Sequence, residues 1–296
     1  GGGASVIGDL TDVLMDATNF TDGLLIQTDS DGSAPTTSFT GNNTGNIGLG
    51  KDVFTSMTSG SNYNVGIGYR ALDALTTGDY NIAIGYDAGS SVQTTSSGVY
   101  IGEGSGRFAT GFYNTLVGRR IGYSLTSGNY NTFMGASGGE SNTGSKNTFV
   151  GYLAGYASAT TSSSVFLGYA AGRLVKASAN IAIGENALAC TGTGGTGNQN
   201  IAIGNASMQT LEGSAGFNVG VGGRTFKNLT TGNYNSALGY EGGENITTGS
   251  NNVILGYEAV TEVGANPSDM VAIGYQAGWQ NNGSKNVFVG KNAGSS

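Results

Sequence analysis

Glu241 and Glu244 are the one close pair among the acids scattered beyond residue 45. Two carboxylates so placed could serve a glycan-cleaving site, one holding a proton for the leaving oxygen while the other stays ionised. The plainer alternative is a solvated charge pair on an outer turn. The 296 residues contain no histidine, which removes the commonest general base and metal ligand. The single cysteine, Cys190, has no partner for an intrachain disulfide and reads as an inert thiol in a loop. The GGxGxD motif of calcium-binding nonapeptides is absent, and an ice-binding threonine array shrinks to Thr115, Thr132 and Thr148. No catalytic residue, metal or cofactor is therefore expected. Tyrosines are the other residues with chemistry to offer. Tyr63, Tyr80, Tyr113, Tyr130 and Tyr234 each precede the first Asn of a recurring motif, and a tyrosine can stack on a sugar while its hydroxyl stays hydrated. These five are candidate receptor or glycan contacts. The alternative is a set of stacked ladders that cover the edge of a coil, joined by Tyr69, Tyr86, Tyr152, Tyr169, Tyr240, Tyr257 and Tyr275 after the motif's last glycine.

The elements that must position these residues are not helices. Glycine occupies 55 of 296 positions, and each glycine inside a helix costs about 1 kcal/mol relative to alanine. Collagen is excluded as well, since glycine does not recur every third residue and there are only 2 prolines. The net charge is −7, and six of the acids (Asp9, Asp12, Asp16, Asp22, Asp29 and Asp31) lie in residues 1–45, which hold no Lys or Arg. The remainder is close to neutral and has no basic stripe, which argues against nucleic-acid binding. No apolar run reaches the roughly 18 residues of a membrane span.

From residue 46 the chain is a repeat. A pentapeptide of the form Asn, β-branched, variable, aliphatic, Gly occurs fifteen times, with closing glycines at 50, 68, 85, 102, 118, 135, 151, 168, 184, 204, 222, 239, 256, 274 and 290. The mean step is (290 − 50)/14, about 17 residues. That period suits a solenoid in which each coil contacts its neighbours. The expected fold is all-β, a parallel β-solenoid or β-roll of about fifteen coils over residues 46–296, preceded by a short acidic attachment or capping segment, residues 1–45. Twelve of the fifteen pentapeptides begin with Asn, so stacked coils should form an asparagine ladder.

Alternation with period two puts the second and fourth residues of the pentapeptide on one face, expected to be the interior. The third residue then points away. Its series includes Tyr100, Leu116, Phe133, Phe149 and Phe166, five bulky members in a row. An exposed ladder of that size exceeds what monomers usually carry, so these five are the candidate oligomer interface; wrapping by loops of the same chain is the alternative. The fourth residue after the closing glycine is either Gly or large and apolar (Phe54, Leu72, Leu188, Met208, Phe226, Val260). Five of the large ones have a second apolar residue three further on (Met57, Leu75, Leu211, Leu229, Val263), the spacing of a helical turn tucked into a wider coil.

Repeats such as TTGNYNSALGYEGG and NIAIGYDAG resemble the head repeats of trimeric autotransporter adhesins of the YadA type, which also occur in phage tail fibres. The resemblance covers residues 46–296 and rests on copy number; the family repeat is shorter, nearer 14 residues. It implies a left-handed parallel β-roll assembled as a homotrimer. The leader GDLTDVLMDATNFTDGLLIQ looks like a short aspartate-rich segment of tail-fibre and virion structural proteins. An autotransporter would add a coiled-coil stalk and a membrane anchor, and neither pattern occurs in these residues. The expected function is thus a structural and adhesive fibre segment, of a phage tail fibre or similar surface appendage, on the virion or at the cell surface. Its expected partners are copies of itself, a neighbouring appendage protein through residues 1–45, and a host cell-surface glycan, without nucleic acid or membrane insertion. An autotransporter-type adhesin head, a self-assembling extracellular filament and a tailspike-like glycan hydrolase are the alternatives.

Overall fold

The computed structural model describes residues 13–17, 20–26, 41–58, 60–192, 194–261 and 266–295. Most of the acidic leader, and Val263, lie outside the described residues. Each pentapeptide becomes a three-residue strand, from β3 (Ile47–Leu49) to β17 (Val287–Val289), and no helix forms among the described residues. The chain divides into two compact units, Gly1–Lys146 and Asn147–Ser296. Each is a parallel β-solenoid with the same residue-for-residue register. In the first, Ile47 pairs with Val65 and Gly48 with Gly66, continuing to Thr115 with Thr132. In the second, Thr148 pairs with Val165, continuing to Val271 with Val287. Part of the leader joins the first unit. Strand β1 (Val13–Ala17) pairs antiparallel with β2 (Phe20–Ile26), and Leu24–Ile26 then lie parallel to β3, with Leu25 fully buried.

The closing glycines explain how coils can stack so closely. All fifteen have φ between 120° and 144°, a region that side-chain-bearing residues rarely enter. A Cβ at Gly68 would stand 2.6 Å from the carbonyl oxygen of Gly85, and one at Gly204 2.4 Å from that of Gly222. At this corner one backbone touches the next. At least three further corners recur as left-handed in each coil, exemplified by Arg70 (φ 56°), Leu72 (φ 53°) and Tyr80 (φ 58°). Their backbone N–H groups are not lost. Arg70 donates to the carbonyl of Lys51, Leu72 to that of Ala88 and Tyr80 to that of Asn62, each on an adjacent coil, so hydrogen bonding extends well beyond the short strands.

The alternation holds, but its phase is opposite to the expected one. Tyr100, Leu116, Phe133, Phe149 and Phe166 are fully buried inside their own coils. They cannot form an oligomer interface. The residues on either side of them face out: Ile47, Leu49, Ile82, Ile84, Met134, Val165, Leu167, Leu238, Val253 and Leu255 are all exposed. The physical reason is the ladder asparagine. Asn64 points inward to donate to the carbonyl of Gly78, and Asn81 to that of Thr95. Period two then places the third residue, not the second and fourth, on the same inner side. The wrapping that covers the five bulky residues comes from the turns of the same chain.

The expected helical turn is absent too. The large residue at the fourth position after the closing glycine is left-handed (Phe54 φ 58°, Leu188 φ 48°, Phe226 φ 47°), just as Gly106 (φ 54°) and Gly122 (φ 55°) are at that place. A left-handed residue cannot propagate a right-handed helix. The same turn closes both kinds of coil, with Leu75 N–H donating to the Leu72 carbonyl and Leu125 N–H to the Gly122 carbonyl, each at 3.1 Å. What the fourth position sets is core volume. Where the inward strand residue is aromatic, the fourth residue is Gly: Tyr100 with Gly106, Phe133 with Gly139, Phe149 with Gly155, Phe166 with Gly172. In five of the eight coils whose strand residue is small the fourth is large, as in Gly48 with Phe54, Gly66 with Leu72, Ala182 with Leu188 and Gly220 with Phe226, while Ala83, Ala237 and Ala272 stand with Gly89, Gly243 and Gly278. A Cβ at Gly106 would lie 2.3 Å from Cδ1 of Tyr100, and one at Gly172 2.4 Å from Cδ2 of Phe166. One large side chain fills each such coil.

Candidate adhesive surface

The outward residues build a surface from the strands upward. Within each unit the in-register strands carry two columns of aliphatic and threonine side chains, one from the second and one from the fourth pentapeptide position. In the second unit the face holds a shallow apolar depression of about 290 Å³, where Ser236 replaces the β-branched residue between Val219 and Val253. Aromatic columns flank the aliphatic ones. Tyr63 stacks on Tyr80 at 5.3 Å between ring centroids, Tyr113 on Tyr130 at 5.1 Å, and Phe217 on Tyr234 at 5.1 Å. On the other side, Tyr69 stacks on Tyr86, and Tyr240, Tyr257 and Tyr275 form a run. All five candidate contact tyrosines are exposed on more than half of their surface. They are both stacked ladders and solvent-facing groups. The structure brings them together only pairwise, Tyr63 with Tyr80 and Tyr113 with Tyr130, while Tyr234 takes Phe217 as its neighbour.

Two polar ladders run along the stack beside this surface. In the inner one, Asn64 donates to Oδ1 of Asn46 at 3.0 Å, and Asn218 to Oδ1 of Asn200 at 3.0 Å. The backbone N–H of the following coil binds the same oxygen, as Asn235 N–H does to Asn218 Oδ1 at 2.9 Å. The second ladder runs the opposite way along the stack. There the backbone donates forward to a side chain two residues before the next coil's pentapeptide: Asn62 to Asp79 Oδ1, Asp79 to Ser96 Oγ, and Asn233 to Ser250 Oγ. It was not anticipated from the pentapeptide, although its signal is visible as Asn, Asp or Ser at that place in NYN, DYN and SNN.

The charges sit on the turns and are spent on one another. Arg224 donates to Glu241 at 2.6 Å and also to Glu244, with Lys227 3.8 Å from Glu244. A hydrogen bond to Tyr240, with Glu244 and Glu241 beside it, holds the Arg224 guanidinium above its ordinary pKa. The Glu241 and Glu244 pair therefore shares one cation, which suits a structural clip better than a proton relay. In the first unit Arg70 pairs with Asp73 and Asp87, and Arg107 with Asp87. Burial raises the Asp73 carboxyl above the usual range against the pull of Arg70. Among the described residues no group of three or more His, Cys, Asp or Glu gathers into a possible metal site.

No family model, curated protein or solved structure matches the chain.

Proposed function

We propose that this chain is a structural and adhesive fibre protein, a segment of a phage tail fibre or similar surface appendage built from YadA-like head repeats, which assembles as a homotrimer and presents a receptor-binding surface. The observation that carries the reading is the outer face: columns of exposed Ile, Val, Leu and Met on successive in-register strands, flanked by tyrosines. A contiguous apolar face of this kind favours burial against a partner. Copies of the same chain supply a matching apolar face at every strand. The interface proposed here comprises the second and fourth pentapeptide residues, such as Ile201 and Ile203, in place of the buried third ones.

Sedimentation equilibrium of the purified chain tests this. One chain is 29.7 kDa, so a trimer is expected at three times that, about 89 kDa. A monomer at micromolar concentration would overturn the assembly, and a trimer that fails to bind host cells would overturn the adhesive role. Open-ended polymers would favour the filament alternative.

A further inference from the structure

Resting on the adhesive reading above, we infer that the tyrosine column of the first unit contains a built gap, at Ser97, that takes one hexopyranose ring of a surface glycan between Tyr80 and Tyr113. The register pairs Ile82 with Val99 and Val99 with Thr115. Tyr80, Ser97 and Tyr113 therefore occupy the same place on three successive coils, each two residues before its strand, and all three are left-handed (φ 58°, 60° and 58°). Tyr80 already stacks on Tyr63 with planes 10° apart, and Tyr113 on Tyr130 with planes 6° apart. The remaining face of each inner ring is turned toward the coil that carries serine.

Coils stack at about 4.8 Å, so two steps separate the Tyr80 and Tyr113 rings by about 10 Å. A ring placed midway would lie about 5 Å from each, close to the 5.3 and 5.1 Å centroid separations of the tyrosine pairs themselves. The gap has the thickness of one missing member of the ladder. Tyr80 and Tyr113 are 59% and 53% exposed, and Phe112, beside Tyr113, is 42% exposed, so the rim is apolar and open.

The polar groups at the gap select the occupant. Ser97 offers a hydroxyl, whereas the Asp79 carboxylate next to Tyr80 is turned to the preceding coil, where its Oδ1 accepts from the backbone and side chain of Asn62. A neutral hydroxyl between two aromatic faces rewards a ligand that joins apolar faces to a rim of hydroxyl groups. An equatorially substituted hexopyranose meets both demands. Its two faces carry C–H groups for the aromatic rings, and its rim carries hydroxyls for Ser97. An aromatic side chain of a partner protein would satisfy the rings alone. The gap lies in the flanking column, so it does not need the aliphatic columns that the trimer would cover.

The decisive variant fills the gap. Ser97→Tyr should complete the ladder without harm to the fold, because six of the fifteen equivalent positions already carry Tyr or Phe. Calorimetric titration of the full-length chain with cellotriose and chitotriose is expected to show binding to at least one. Ser97→Tyr, Tyr80→Ala and Tyr113→Ala should each weaken it about tenfold or more, as expected for loss of aromatic stacking. Ser163→Tyr, at the equivalent place in the second unit, should leave it within about twofold. Absence of binding by the unmodified chain, undiminished binding by Ser97→Tyr, or preference for a phenylalanine-containing peptide would each overturn the inference. Failure here, with a trimer that still binds cells, removes the gap and spares the fibre reading; a monomer that still binds sugar does the reverse.

Discussion

Tyr100 carries a hydroxyl that is fully buried and has no hydrogen-bond partner. Burial alone pushes its pKa up. The same ring accounts for Gly98 at a position where twelve other coils have Asn, since a Cβ there would stand 2.3 Å from the Tyr100 hydroxyl oxygen. Removing an unsatisfied buried hydroxyl relieves a desolvation cost of about 1 kcal/mol or more. Tyr100→Phe should therefore melt at the same temperature as the parent or higher; a fall of several degrees would show that the hydroxyl is doing structural work. Cys190 is the other buried titratable group of interest. Burial raises its thiol from 9.0 to about 12. The folded state thus disfavours the thiolate, so this contribution to stability is intact below about pH 9 and drains away as the pH climbs toward about 12. The stability difference between the parent and Cys190→Ala, measured by denaturant titration, should shift in favour of the variant across that window. Native Cys190 should also resist thiol reagents at pH 8 and react only after unfolding.

At the scale of the coil, the alternation of Gly and large residues at the fourth position looks like irregularity in the sequence and becomes a volume rule in the structure. Phe149 and Phe166 stack at 4.7 Å inside their coils, over Gly155 and Gly172. Phe166→Ala should cost about 3–5 kcal/mol through the cavity it leaves. Adding Gly172→Leu reproduces the natural pairing of Ala182 with Leu188 and should recover a substantial part, because Leu188 shows that a bulky left-handed residue is tolerated there. Chemical denaturation of the single and double variants reads this directly; no recovery would mean that the two positions do not share one space. The repeat, its period and the asparagine ladder were all legible in the sequence, since each is a one-dimensional regularity. The inner face was not, because it depended on where the Asn64 amide finds its acceptor, the carbonyl of Gly78, fourteen residues away.

On the scale of the molecule, that reversed phase changes which residues can join copies together. A charge on the outer columns should break assembly and leave each chain folded. Val253→Glu combined with Leu255→Glu is expected to yield monomers with an unchanged far-ultraviolet circular dichroism spectrum, whereas Tyr100→Phe should assemble normally. Retention of the trimer by the double variant would move the interface elsewhere. What the sequence by itself determined is the architecture: repeated copies of a glycine-closed pentapeptide admit only short parallel strands in one register within each unit, because closing glycines such as Gly68 and Gly204 must meet the backbone of the next coil. Only the tertiary structure decided the assignment of faces. Period two separates the strand residues into two sets but is silent on which set lies inside, and that choice is made by the turns that enclose Tyr100 and Phe166 and leave Ile82 and Leu167 to the solvent.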